Sequence, residues 1–221
     1  PSSARVLPID EGIGMLRKTL AELGIERDTF ILFFSDNGGT SEGPSSSPTY
    51  RGKKGTVYEG GHRVPAIAMW PGRIKPGTVS DEQLISIDVM PTLLSLAGTR
   101  TSGNPLDGID FSGVMLRGER SKPRPLYWAS LSNSGRRSEA MRDGSWKLIV
   151  QHHKAKPGTF QNEKFELYNL SSDPGEKSNL SAKHPQQVKR MSRQLKDWFA
   201  QTQRTATKQP DGWLAAASKS K

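Results

Sequence analysis

An aspartate and an asparagine side by side, Asp36-Asn37, are followed at once by Gly38-Gly39. The Asp carboxylate and the Asn carbonyl are hard oxygen donors of the kind that calcium and magnesium take. The two glycines let the backbone turn sharply and let a ligand approach closely. The same four residues are also turn chemistry, because Asp and Asn hydrogen-bond their own backbone and Gly supplies positive φ. Further on, Arg51-Gly52-Lys53-Lys54-Gly55 sets three cations in a glycine-rich stretch, with Lys54 17 residues after Asn37. A lysine ammonium is a compact charge able to hold a sulfate or phosphate oxygen. Flanking glycines open backbone N–H groups to the same anion. A solvated basic loop would have the same composition.

The elements that must position these residues are legible around them. Ile9, Ile13, Leu16, Leu20 and Leu23 recur at spacings of four, three, four and three, one face of an amphipathic helix closed by Gly24. The run Phe30-Ile31-Leu32-Phe33-Phe34 suits a parallel strand covered on both faces. It would deliver Asp36 and Asn37 to the strand's carboxyl end, where open α/β sheets bind ligands. Residues 38–62 leave little room for regular structure, and so long a loop in a compact domain is usually functional. Val64 to Trp70 reads as a second strand turned out by Pro71-Gly72. A helix is expected from Ile87 to Ala97, with Asp88 as candidate N-cap and Pro91 in its first turn.

From residue 111 the character changes. Leu126 to Ala129, Glu139 to Arg142, Trp146 to Val150 and Phe165 to Leu170 read as short strands, with Asp143-Gly144 a hairpin turn. Pro185 opens a helix with Val188, Met191, Leu195, Trp198 and Phe199 on one face. Strands followed by a packing helix make a small α+β subdomain. From Thr202 the composition is polar and predicts disorder.

Bulk composition narrows the function classes. The 221 residues are 33% hydrophobic and 24% charged, with no Cys, which excludes disulfides and thiolate zinc sites. No apolar run approaches the roughly 20 residues of a helical membrane span. The net charge of +10 is unevenly placed: 11 Lys/Arg against 13 Asp/Glu in residues 1–110, 21 against 9 in residues 111–221. The motif-bearing half is thus slightly acidic, and nucleic acid is not the expected partner. The sequence begins Pro1-Ser2-Ser3-Ala4-Arg5, with neither Met nor an apolar leader, as expected of a processed or truncated chain.

Taken together, the motifs resemble the sulfatase family, of the alkaline-phosphatase-like superfamily. The likeness starts with Ser35 to Gly39 and continues through Arg51-Gly52-Lys53-Lys54-Gly55-Thr56-Val57-Tyr58-Glu59-Gly60-Gly61-His62-Arg63-Val64-Pro65. Trp70-Pro71-Gly72, Asp88, Pro91-Thr92-Leu93-Leu94 and Leu96-Ala97-Gly98 follow in the family's order. Arg142-Asp143-Gly144, Trp146-Lys147-Leu148, Glu166 to Leu170 and Asp173-Pro174-Gly175-Glu176 resemble its C-terminal subdomain. The match runs from about residue 6 to residue 201.

The resemblance implies an α/β fold. Residues 1–110 would be the C-terminal part of the catalytic domain, an alkaline-phosphatase-like sheet with flanking helices. Residues 111–201 would form an α+β subdomain of antiparallel strands and a helix, and 202–221 a disordered tail. It implies a sulfuric ester hydrolase of arylsulfatase type. Asp36 and Asn37 would be ligands of calcium, or of magnesium in its place, and Lys54 would contact the substrate sulfate. Arg51 and Glu59 would order the loop, with an ion pair between them as one arrangement, and His62, at a variable place, reads as structural. The nucleophile would be a formylglycine made from a Cys/Ser-x-Pro-x-Arg motif. Ser46-Ser47-Pro48-Thr49-Tyr50 fails that pattern at Tyr50, and Pro1 to Arg5 lacks the central Pro. The nucleophile and two acidic metal ligands are therefore expected in an absent N-terminal half, without which these residues would be inactive. The implied substrate is a sulfated polysaccharide or an aryl sulfate, in a periplasmic or extracellular setting. A phosphatase or phosphonate hydrolase of the same superfamily, or a non-catalytic polyanion-binding module, are the alternatives.

Overall fold

The computed structural model describes residues 3–40, 49–99, 105–131, 137–152 and 163–206. In chain order these form α1 (Ser3–Glu22), β1 (Ile31–Phe34), α2 (Glu59–His62), β2 (Ala66–Met69), α3 (Val89–Leu96) and α4 (Ser112–Arg117), then β3 (Leu126–Leu131), β4 (Arg137–Asp143), β5 (Trp146–His152), β6 (Glu163–Asn169) and α5 (Pro185–Ala206). The chain divides into two compact units. One comprises residues 1–38, 42–45 and 63–124, the other residues 39–41, 46–62 and 125–221.

In the first unit the helix expected from Ile9 begins earlier and runs through Pro8. Of its periodic apolar face only Leu20 is buried, while Ile9, Leu16 and Leu23 remain exposed. The strand expected to be parallel is antiparallel: β1 pairs with β2 through Ile31↔Met69, Leu32↔Ala68, Phe33↔Ile67 and Phe34↔Ala66. A continuous apolar run reports burial, not the direction of the neighbouring strand. Here even burial is partial, since Phe34 and Ile67 are exposed.

Asp88 is placed as expected before α3 but does not cap it. Its buried carboxylate points back, accepting the Ile85 N–H at 2.9 Å and the Ile109 N–H at 2.9 Å, and it pairs with Arg124. The Thr92 hydroxyl adds a second link, donating to the Asp88 carbonyl at 2.7 Å and accepting the Phe111 N–H at 3.0 Å. These bonds fasten residues 109–111 to α3. Helix α4, which follows, has no sequence signal strong enough to announce its six residues.

The second unit is built on a four-stranded antiparallel sheet in the order β3-β4-β5-β6. The β4–β5 hairpin closes through Gly144-Ser145, with Asp143 opposite Trp146 and Gly144 at φ +59°, the positive φ that tight hairpins require. Strand alternation gives the sheet two buried faces. On one, Met141, Leu148, Val150 and Leu167 meet Met191 and Leu195 of α5, and Tyr127 stacks on Trp198 at 4.9 Å. On the other, Ala140, Ile149, Tyr168 and Leu170 pack with Val57 and Tyr58 of the glycine-rich loop. The strands extend by up to two residues beyond their sequence-expected ends, except that β6 stops at Asn169, one short, and α5 runs to Ala206, past the point where disorder was expected. Residues 207–221, and Ser46 to Pro48, lie outside the described residues.

Met191 is fully buried between α5 and the sheet. Met191→Ala is expected to destabilise the protein by about 2–5 kcal/mol, the usual cost of a large-to-small core change. A urea melt followed by far-UV circular dichroism checks it.

Candidate active site

Asp36 and Asn37 stand two and three residues beyond β1, in the first unit. The Ser35 hydroxyl donates to the Asn37 carbonyl at 2.9 Å, and the Asn37 amide nitrogen donates to Oδ2 of Asp36. That bond orients the pair and keeps Oδ1 of each side chain out of it. The exposed Asp36 and half-buried Asn37 thus carry hard oxygens fit for part of a calcium shell. Calcium takes about 6–8 oxygens, so the pair is a partial set. Among the described residues no group of three or more His, Cys, Asp or Glu is arranged to hold a metal.

Lys54 belongs to the second unit, in a loop fixed at many points. Gly52 and Gly55 adopt φ of +85° and +84°, which admits the tight path around Lys53-Lys54. The Lys54 N–H donates to the Gly39 carbonyl at 2.9 Å, and the Ser130 hydroxyl of β3 to the Gly55 carbonyl at 2.8 Å. The Thr56 hydroxyl donates to the Lys53 carbonyl at 2.7 Å. The loop then closes on itself, the Gly60 N–H donating to the Arg51 carbonyl at 2.7 Å. A Cβ on Gly60 would sit 2.6 Å from the Gly52 carbonyl oxygen, and one on Gly61 would collide with that of Thr56. The Lys54 side chain is exposed and in no ion pair among the described residues.

Beneath the loop lies a buried charge cluster. The Lys147 ammonium, fully buried on β5, is 2.9 Å from Glu59 Oε1, 2.9 Å from Glu176 Oε1 and 3.2 Å from His62 Nε2. Arg142 approaches Glu59 Oε2 at 3.6 Å. The Glu59 N–H donates to Glu176 Oε2 at 2.8 Å. Arg51 and Glu59 therefore do not pair with each other. Arg51 Nη1 donates instead to the Tyr168 hydroxyl at 2.8 Å, to the Glu176 carbonyl at 3.1 Å and to Glu166 Oε2 at 3.3 Å. The pairing differs because Glu59 opens the buried helical turn α2 and faces β5, while Arg51 runs over Tyr58 towards β6. His62 is half-buried and stacks on Trp128, the ring centroids 4.2 Å apart. Lys147, Glu166 and Glu176 had drawn no role from the sequence. The available signal was a lysine inside Trp146-Lys147-Leu148-Ile149-Val150, a strand apolar on both faces, which demands buried counter-charges.

Two family models match the chain: the one described as N-sulphoglucosamine sulphohydrolase, C-terminal, over residues 52–205, and the one described as Sulfatase over residues 3–99. The chain belongs to the sulfatase family. Arylsulfatase A of Homo sapiens is 34% identical over 197 residues, covering 81% of this chain and 39% of that protein. N-acetylgalactosamine-6-sulfatase of Mus musculus is 35% identical over 204 residues, covering 80% and 38%. The crystal structure of Ps i-CgsB in complex with k-i-k-neocarrahexaose superposes with a TM-score of 0.75 at 26% identity, over 88% of this chain and 41% of that one. The chain thus spans about two fifths of the length of the curated relatives it matches, and its alkaline-phosphatase-like fold is that of the C-terminal part of the sulfatases.

The electrostatics of this sulfatase loop follow from burial. Desolvation pushes the Glu59 carboxyl up, but the Lys147 ammonium and its hydrogen bond outweigh that and hold it below the usual carboxylate range. For Glu176 desolvation prevails over the same ammonium and its pKa is raised. Burial, reinforced by Lys147, pushes the His62 imidazole from 6.5 down to about 4. Between those two values the unfolded chain binds a proton at His62 that the folded chain refuses. His62 therefore stabilises nothing by its charge, and stability present above pH 6.5 is lost as the pH falls towards 4. The loss amounts to about 3 kcal/mol at 1.36 kcal/mol per unit. Glu176 acts in the opposite sense, its raised pKa favouring the fold at lower pH, and Glu59 withdraws its contribution only below the usual carboxylate range. Comparing the wild type with His62→Gln isolates the histidine. The slope of unfolding free energy between pH 6.5 and 4, from urea melts, is expected to flatten in the variant.

Proposed function

We propose that these residues serve a calcium-dependent sulfuric ester hydrolase, in which Asp36 and Asn37 hold the cation and Lys54 binds a sulfate oxygen. What supports this most is the exposed Lys54 ammonium, in no ion pair among the described residues, on a loop whose backbone is pinned from both sides, in a chain of the sulfatase family. The bound cation supplies charge compensation and a template for the sulfate. Magnesium has the same oxygen preference and is the second choice. The formylglycine that the family likeness implies, outside these residues, supplies the attacking oxygen.

The roles left to this chain are electrostatic. Asp36 presents one formal negative charge to a divalent ion, and Asn37 presents a neutral carbonyl, so the pair leaves positive charge for an anionic ester. Lys54 meets the sulfate where negative charge concentrates as the ester oxygen departs, which favours the transition state over the ground state. Arg51 and Glu59, engaged with the sheet, keep the loop in shape and contact no substrate. The names of the relatives divide between aryl sulfate and a sulfated amino sugar, and both substrate classes belong in the assay, alongside sulfated polysaccharide. A periplasmic or extracellular setting accords with such substrates.

In the full-length protein, Lys54→Ala is expected to lower kcat/KM on p-nitrophenyl sulfate by about 10²–10³-fold, the scale of losing one charge-stabilising donor. The melting temperature should stay unchanged, since Lys54 is exposed. Near-normal kinetics would show that the ammonium does not touch sulfate. A parallel assay on p-nitrophenyl phosphate discriminates the chemistry, and faster phosphate turnover would transfer the site to the phosphatase branch of the superfamily. Asp36→Asn is expected to reduce bound calcium measured by inductively coupled plasma mass spectrometry after dialysis. Full occupancy would remove Asp36 from the ligand set.

A further inference from the structure

We propose that Glu176 is a positioning residue for Lys54, clasping both ends of the loop that carries it. This rests on reading Lys54 as the sulfate-binding group. The loop's first anchor, Arg51, donates to the Glu176 backbone carbonyl at 3.1 Å. Its last anchor, Glu59, donates its N–H to the Glu176 carboxylate at 2.8 Å. The same carboxylate meets Lys147 at 2.9 Å, and Lys147 returns to the Glu59 side chain at 2.9 Å. One residue of the turn after β6 therefore holds both termini of the segment, and the Gly60-to-Arg51 hydrogen bond at 2.7 Å draws those termini together. Lys54 lies three residues inside one end and five inside the other.

Glu176 carries unusual costs for a residue outside a ligand site. It is fully buried, and at φ +52° it is the one non-glycine residue with positive φ among the described residues. A left-handed conformation disfavours side chains, and a buried carboxylate demands full compensation. Such strained positions persist where the surroundings over-determine them, and they cluster at functional sites. The Asp173 carboxylate over-determines this one, accepting the Lys177 and Ser178 N–H groups at 2.9 and 2.8 Å and so wrapping the turn around residue 176. Gly175 lies close against the start of the loop, where a Cβ would stand 3.1 Å from the Thr49 carbonyl oxygen. A merely stabilising contact would not need to reach both loop ends from a single residue.

The test is a double-mutant cycle on the full-length protein with Glu176→Gln, Lys54→Ala and the two combined. It is read as kcat/KM on p-nitrophenyl sulfate and as affinity for inorganic sulfate by calorimetry. Glu176→Gln alone is expected to lower kcat/KM by about 10–100-fold, the cost of misplacing a catalytic group by about an ångström. In the Lys54→Ala background it is expected to cost less than about 3-fold, because coupled residues are non-additive. Sulfate affinity should follow the same pattern. Wild-type values for Glu176→Gln, or an equal loss in both backgrounds, would overturn the proposal. A normal Lys54→Ala enzyme would instead overturn the Lys54 reading, and this assignment with it. Should Glu176→Gln fail to fold, Arg51→Lys loosens only the other end of the clasp and leaves the Lys147 cluster intact. Its loss is expected to vanish in the Lys54→Ala background, and additivity there would sink the idea.

Discussion

The Lys147 ammonium sits fully buried in the interior, and its neighbours on two sides are the carboxylates of Glu59 and Glu176. A charge in that position is tolerated only if its partners are held at hydrogen-bonding distance, since desolvation otherwise outweighs the attraction. The partners come from two segments far apart in sequence, the glycine-rich loop and the turn after β6. Neither can move away without stranding a buried charge. The second unit is organised by that requirement: the sheet presents Lys147, and the loop and the turn must come to it.

The loop's glycines serve the same end from the other direction. Gly60 and Gly61 admit backbone approaches that a methyl group would block, so α2 can press against residues 51–56. Val57 and Tyr58 then cover the sheet face opposite α5. The loop is therefore a wall of the core as well as the carrier of Lys54. In the first unit Asp88 works on a smaller scale, with one buried carboxylate gathering two backbone N–H groups and an arginine. In both units an acidic side chain replaces regular structure as the organiser of irregular chain.

Much of this was legible in the residues. The 3.6-residue periodicity of Val188 to Phe199 located α5 and its buried face, and the short apolar segments between 126 and 170 located four strands. Burial drives both patterns, so both survive in the structure. Strand direction did not follow from the apolar run at Phe30 to Phe34, because neighbours of either direction bury the same side chains. Asp88 looked like a cap of α3, but its carboxylate takes the Ile85 N–H on the other side and two partners, Ile109 and Arg124, beyond any local rule. The Arg51–Glu59 pairing failed for the same reason: opposite charges eight residues apart invited a local pair, while both found partners more than 80 residues away in the sheet. For the proposed site residues, type and spacing admitted a metal pair or a turn at Asp36-Asn37 and an anion-binding or solvated loop at Lys54, and the family likeness chose between them. The support under Lys54 was not legible, since it depends on which face of β5 points at the loop.

The left-handed backbone at Glu176 bears on how this protein tolerates sequence change. Ordinary stability engineering would replace a strained non-glycine residue at φ +52° with glycine, to release the backbone. At this position the conformation and the carboxylate make opposite demands, and only the carboxylate reaches Lys147 and the Glu59 amide. Relaxing the backbone would strip a buried cation of one of its two carboxylate partners, so the geometrically comfortable residue is the chemically wrong one.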